Sequence, residues 1–375
     1  NGSWIDDQSG STGVVTVDGV GSTWNINGKH FVGSYGNGAL NITNGGAVII
    51  GDKAYIGNQP GSTGVITVSG TGSTWTSNNS FFVGGSYGSG VLNITDGGAI
   101  SNIYGYIGFL SGSTGEVTVD GAGSTWTNRS LIVGHEGSGV LNITGGGMVN
   151  GGGAIGYKTG SMGEVTVDGP GSIWTGGGSS IGYEGSGVLN ITGGGLVSVG
   201  DFLTIRSGDF INMATGGMLA LYGEEDASGS LGAFLGLIDG TDDIRYWDYS
   251  LEDWDDIANA TLGEDYTLSY LTEGDLAGYT MLTVLELILL GDANGDGLVS
   301  VDDYGFVQLN FGDTGPAGIH GDANGDGVVS ADDYGSVQLH FGDTGGMGSM
   351  PVPEPATLSL LVLGCMAMLT KRRRT

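Results

Sequence analysis

The sequence predicts an all-β chain: a right-handed parallel β-helix, or β-solenoid, of about nine coils, followed by a small helical module and a C-terminal hydrophobic helix. Three observations carry this. Gly fills 80 of 375 positions with only six Pro and no period of three, which suits tight turns at many fixed places. Apolar residues recur on a beat of about two dozen residues, too short to bury its own side chains unless successive beats stack. Within each beat short segments alternate apolar and polar with period two, the mark of a strand with one face in a core.

Three rows keep the beat. The first runs Val15, Leu40, Ile66, Leu92, Val117, Leu141, Val165, Leu189 and Ile211. The second runs Val32, Ile56, Val83, Ile107, Val133, Ile155, Ile181 and Ile205, most of them followed by Gly. The third runs Trp24, Val48, Trp75, Ile100, Trp126, Val149, Trp174 and Val197. Three strands per coil follow, and parallel crossovers make a right-handed path the default. In Val15-Thr16-Val17 and Leu40-Asn41-Ile42 the outer two residues should face the core and the middle one solvent. Exposed, the Trp row would be a ladder at about 9.6 Å that could stack on sugar rings. Its alternation with Val48, Ile100, Val149 and Val197 favours the core. The row Asn41, Asn93, Asn142 and Asn190 is expected to point outward.

The beat fades after residue 222, so residues 1–222 are read as the repeat domain. Residues 223–290 gather acids and aromatics, as in Tyr246-Trp247-Asp248-Tyr249, and are expected to form an acidic β-rich cap closing the open end. The apolar run Met281 to Leu290 is too short to span a bilayer and suits a strand or short helix of that cap.

The sharpest chemical signal is Gly-Asp-Ala-Asn-Gly-Asp-Gly at 291–297, repeated letter for letter at 321–327. A twelve-residue loop offers oxygens at positions 1, 3, 5, 7, 9 and 12 to a hard cation, with Gly at 6 for the turn. The first loop supplies Asp292, Asn294, Asp296, the Leu298 carbonyl, Ser300 and Asp303, and the second Asp322, Asn324, Asp326, the Val328 carbonyl, Ser330 and Asp333. Two calcium sites are therefore expected. Position 12 is Asp, so this shorter carboxylate must lie close to chelate with both oxygens.

A chain with 40 acidic and 10 basic residues, at a formal charge of −30, repels nucleic acid and favours divalent cations, which excludes a nucleic-acid partner. The cations of the repeats, Lys29, Lys53, Arg129, Lys158 and Arg206, lie scattered through different coils. His30, His135, His320 and His340 share no metal or triad spacing and read as surface or corner residues. No nucleophile motif is present, so no catalytic residue is assigned and a non-enzymatic role leads. Cys365 is the single cysteine, which leaves packing or metal to supply stability. The chain opens at Asn1 with no charged-then-apolar stretch, and a secretory signal is expected to have been removed or to lie outside this sequence.

At the other end, Val352-Pro353-Glu354-Pro355 precedes a largely apolar stretch from Ala356 to Thr370 and then Lys371 to Arg374, within a linker and tail spanning 346–375. A short greasy span before a basic stop suits a transient anchor with its basic end at the cytoplasmic face.

Three resemblances bear on these features. The repeats, over about residues 10–220, resemble the passenger-type and adhesin-type repeats of bacterial autotransporters. The duplicated loop and exiting helix, over residues 291–345, resemble the dockerin type I module, whose family binds two calcium ions and docks onto cohesin. Positions 10 and 11 depart from the Ser-Thr pair common in that family, being Val301-Asp302 and Ala331-Asp332, and this bears on a cohesin-like partner rather than on calcium. The tail resembles the PEP-CTERM sorting signal, which implies an exported bacterial protein handled by exosortase-type sorting machinery and destined for the cell surface or beyond. The implied function is a structural or adhesive surface protein, with extracellular polysaccharide as a further partner. A carbohydrate-binding or polysaccharide-degrading β-helix, lyase or hydrolase, is the alternative, since many parallel β-helices act on polysaccharides.

Overall fold

Strands of three to seven residues recur three times per beat, and each stacks on its counterpart one beat later, so that 27 strands form nine coils with three parallel sheets. This computed structural model describes residues 2–225, 229–239, 242–248, 251, 253–285, 290–294, 298–314, 320–324 and 328–342. Asp296, Asp326 and the tail at 346–375, with its expected hydrophobic helix, lie outside the described residues. No helix among the described residues is long and apolar enough to cross a membrane.

Each apolar row of the sequence is one column of one sheet. Sheet 1 runs from Ser3–Ile5 to Leu203–Ile205 and pairs Val32 with Ile56 and Ile56 with Val83, continuing to Ile181 with Ile205. Sheet 2 begins at Thr12–Asp18 and pairs Val15 with Leu40, Leu40 with Ile66, and so on to Leu189 with Ile211. Sheet 3 begins at Thr23–Ile26 and pairs Trp24 with Val48 and Val48 with Trp75, ending on Val197 with Leu219. Beyond the first and last coils these columns are fully or nearly fully buried, Trp75 and Trp126 at 0 % and Trp174 at 3 % exposure. The Trp row is therefore core. Each large indole is followed one coil on by a smaller Val or Ile, which lets successive layers interdigitate at interior density. The Asn row sits between two inward residues of its strand and is half-exposed.

The corners explain the glycine content. Gly57 turns the chain out of sheet 1 with φ +62°, and a Cβ there would lie 1.9 Å from the Ser89 carbonyl oxygen of the next coil. Only a residue without a side chain lets adjacent coils approach this closely while adopting the left-handed region.

At the last coil sheet 1 stops while the others continue. Ile244–Asp248 adds to sheet 2 in parallel, and Tyr279–Val284 runs antiparallel to Met218–Tyr222 before pairing with Tyr266–Leu271. The reversal ends the parallel ladder, and Leu282, Val284, Ile244 and Phe234 of α1 (Ser230–Leu237) join the core.

The chain divides into two compact units, Asn1–Trp247 with Trp254–Glu286, and Asp248–Asp253 with Leu287–Thr375. The second unit holds α2 (Val301–Leu309) and α3 (Ala331–Leu339), each entered through a loop of the repeated motif. Its core duplicates as the sequence does: Ala293, Val299 and Val307 pack with Ala323, Val329 and Val337. Reciprocal backbone bonds join the halves, the Gly291 N–H to the Ala323 carbonyl at 2.7 Å and the Gly321 N–H to the Ala293 carbonyl at 2.8 Å.

Candidate functional site

Two places carry chemistry, the paired loops of the second unit and the outer face of sheet 1. In the first loop the position-12 carboxylate acts as a clasp. Asp303, fully buried, accepts the backbone N–H groups of Ala293 at 2.8 Å and Asn294 at 3.1 Å on Oδ1, and that of Ser300 at 2.6 Å on Oδ2. Asp333 does the same in the second loop, accepting from Asn324 at 3.0 Å and Ser330 at 2.7 Å. Positions 3, 9 and 12 of each loop are thus drawn together, as a loop closing on one centre requires. Ser300 caps α2 and accepts the Asp302 N–H at 3.2 Å, and acids at the first turn complement the helix dipole.

The donor set fits a hard cation, since Asp292, Asn294, Ser300 and Asp303, with the Leu298 carbonyl, are all oxygen donors. Asp322, Asn324, Val328, Ser330 and Asp333 repeat it, with Asp322 2 % exposed. Among the described residues, no three His, Cys, Asp or Glu side chains come together as a metal-holding group. Three of the roughly four lone-pair sites of Asp303 are taken by backbone N–H groups, so one remains for a cation.

The outer face of sheet 1 carries a feature the apolar rows do not announce. Its middle column places Trp4, Phe31, Tyr55, Phe82 and Tyr106 one above another, pair by pair in register. Their ring centroids lie 5.9, 4.9, 4.7 and 5.0 Å apart with planes within 10° of parallel. At Tyr106 the stack steps sideways to the corner after the strand, through Phe109, whose ring meets Tyr106 edge-on at 5.1 Å. It then continues through His135, Tyr157 and Tyr183 at 4.9, 5.3 and 5.0 Å. Rings in such a stack cover one another's faces and turn their edges outward. The ladder was legible as a residue two before Gly in the row Phe31-Val32-Gly33, Tyr55-Ile56-Gly57, Phe82-Val83-Gly84 and Tyr106-Ile107-Gly108.

The cations do lie in different coils, and register adds that all five flank sheet 1. Lys29, Lys53 and Arg129 lie on one edge of sheet 1: the Lys53 carbonyl accepts the His30 N–H at 3.0 Å, the Lys29 carbonyl the Ser3 N–H at 2.9 Å, and the Arg129 N–H reaches Ile103 in the same corner column. Lys158 and Arg206 lie on the other edge, Lys158 3.9 Å from Glu184 and 5.1 Å from the Tyr157 ring centroid. His30 departs from expectation. It is not a surface residue but fully buried, edge-on to Trp24 at 5.1 Å and 5.8 Å from Trp75. Burial lowers its pKa to about 4, the Ser3 backbone offsetting part of the effect.

No family model matches the chain, and no curated protein matches it. Among solved structures, the crystal structure of the TibC-catalyzed hyper-glycosylated TibA55-350 fragment matches at 18% identity and a TM-score of 0.18, covering 58% of this chain and 92% of that one. A score this low carries no functional argument.

Proposed function

We propose that this is an exported, non-catalytic protein of the bacterial cell surface or extracellular matrix, structural or adhesive in role, with a calcium-stabilised module. The observation that supports the reading is the register itself: nine coils hold every inward column in a continuous core, so each outward column repeats on every coil along a stiff axis. Such a surface offers many equivalent contacts, which suits avidity for a repeating matrix better than turnover of one bond.

Calcium, when bound, supplies charge neutralisation and crosslinking of the loop oxygens. Asp292, Asn294, Asp296, the Leu298 carbonyl, Ser300 and Asp303 would hold one ion, and Asp322, Asn324, Asp326, the Val328 carbonyl, Ser330 and Asp333 the other. Apolar side chains on both exiting helices stay exposed, Leu309 at 79 % and Leu339 at 80 %, so a cohesin-like protein partner belongs to the same reading. The tail from Val352 to Arg374 would direct export through exosortase-type machinery.

Calorimetric titration of the full chain with calcium tests the module, with two sites expected. Expression in a host with exosortase tests destination: the intact chain should reach the surface or medium, and a chain ending before Val352 should not follow the same route. Absence of calcium uptake, or identical routing of both chains, would remove the corresponding part of the reading.

A further inference from the structure

The stretch of sheet 1 from the second to the sixth coil differs from the rest of the solenoid in three ways at once. Its middle column is aromatic, from Phe31 through Tyr106. One edge carries Lys29, Lys53 and Arg129, with Lys29 and Arg129 exposed. The other edge carries Tyr35 and Tyr87, each 51 % exposed and two coils, about 9.6 Å, apart. The acids here are Asp6, whose buried Oδ2 lies beside Gly36 next to Tyr35, Asp52, whose Oδ1 accepts from Asn79 at 3.1 Å, and Glu136 at the far end. A chain of net charge −30 thus gathers three cations along one edge of this strip, whereas the outward columns of sheet 2, with Asp18, Glu116, Asp120, Glu164 and Asp168, contain no Lys or Arg before Arg245.

The aromatic stack sharpens what this surface would accept. An aromatic ring is electronegative over its face and electropositive at its edge. Stacking consumes the faces of Phe31, Tyr55 and Tyr106 against one another and against Phe82, itself buried at 4 % exposure, so the three half-exposed rings present edges, which favour oxygen atoms and anions. Burial raises the pKa of the Tyr55 and Tyr106 phenols, with a smaller contribution from Asp52 at Tyr55 and from neighbouring tyrosines at Tyr106, so both remain hydrogen-bond donors at neutral pH. Tyr35 and Tyr87 lie outside the stack and offer apolar surface to a sugar ring.

We propose that this strip binds a linear acidic polysaccharide laid along the solenoid axis, its carboxylates directed to Lys29, Lys53 and Arg129 and its sugar rings to Tyr35 and Tyr87. The ligand is a chain because the cations span four coil steps, about 19 Å, along the axis. It is a uronate-type polymer rather than nucleic acid, because widely spaced charges can meet three cations without the dense phosphate charge that the acidic remainder of the protein would repel. The inference rests on the adhesive reading above and gives it a ligand class and a site.

The test uses the full chain with chelator present, so that calcium cannot bridge acidic protein to acidic polymer. Binding to polygalacturonate, neutral dextran and poly-L-glutamate is measured by affinity electrophoresis and calorimetry. Lys29→Gln/Lys53→Gln/Arg129→Gln should weaken polygalacturonate binding about tenfold, about 1.4 kcal/mol. Tyr35→Ser/Tyr87→Ser, which leaves the stack intact, should weaken it as well. Thr16→Glu/Thr67→Glu/Thr118→Glu, the same change in net charge placed on sheet 2, should leave it within about twofold, since exposed charges a Debye length of about 10 Å or more away are screened. Equal losses in both triple variants, or equal binding of poly-L-glutamate or dextran, would overturn the site or the ligand class while leaving adhesion standing. Failure of the unaltered chain to be retained on any polysaccharide or on extracted matrix would overturn both.

Discussion

Trp126 donates its indole N–H to Asn102 Oδ1 at 2.7 Å, one coil back along sheet 3, and Asn102 donates in turn to Asn128 Oδ1 at 2.9 Å. All three side chains are buried, so the amides form a short polar thread that satisfies the indole inside an apolar column. Asn102→Leu removes the acceptor and leaves the Trp126 N–H in the core. A loss of about 1–3 kcal/mol is expected, read as a lower midpoint in denaturant at unchanged slope. Asn102→Asp should cost at least as much, because burial penalises the charge.

His30 makes stability depend on pH. Its two ring nitrogens reach no partner at full hydrogen-bond geometry, and the imidazole lies between Trp24 and Trp75. Its pKa in the folded chain is about 4 against an ordinary 6.5. Above 6.5 neither state binds the proton, between these values only the unfolded chain does, and below 4 both do. Stability from this residue is therefore full above 6.5 and is lost as pH falls through 4, by on the order of 3 kcal/mol. Thermal melts of the protein and of His30→Met between neutral pH and pH 4 check this: the variant should lose less stability over that interval.

The core was legible because its signal is one-dimensional. Each inward column, such as Leu40-Ile66-Leu92, is a single apolar position read once per beat, so counting recovers the register. The outward aromatic stack crosses from a mid-strand column to a corner column between Tyr106 and Phe109, and no single position of the repeat follows it. The cations hide for a related reason. Lys29 and Lys53 come before their strands, Lys158 and Arg206 after theirs, and only folding the beat onto three sheets puts all of them beside sheet 1. His30 takes an inward position of its strand, and a polar residue there breaks the alternation from which burial is inferred. In the loops, spacing named the candidate ligands, but the backbone N–H groups that occupy the Asp303 carboxylate leave no trace in composition.

Glycines of the same local conformation should differ sharply in tolerance. Gly57 and Gly61 both have positive φ, +62° and +77°. A Cβ on Gly61 meets nothing within 4 Å, whereas one on Gly57 would lie 1.9 Å from the Ser89 carbonyl oxygen. Gly61→Ala should cost only the conformational penalty, about 1–2 kcal/mol. Gly57→Ala must also force apart two hydrogen-bonded coils and should exceed about 4 kcal/mol. Denaturant melts of the two variants, made in parallel, separate backbone strain from steric exclusion.

Asp303 and Asp333 join loop closure to helix formation. α2 and α3 are nine residues each and carry Gly305 and Gly335 inside, so neither would persist unsupported. Each depends on the loop before it, and the loop depends on the carboxylate that gathers its backbone N–H groups. Asp303→Ala leaves the N–H groups of Ala293, Asn294 and Ser300 without that acceptor and should destabilise this half by about 3 kcal/mol or more. The reciprocal bonds through Gly291 and Gly321 carry the damage to the other half, so hydrogen exchange should quicken in both α2 and α3 while the sheets of the solenoid keep their protection. Asp303→Asn retains one oxygen acceptor and should protect α2 partly. With calcium present, the unaltered chain should exchange more slowly in both helices, and the Asp303→Ala chain should gain far less from the ion, since the residue it lost closes the loop and, on the proposed reading, would supply an oxygen to the ion.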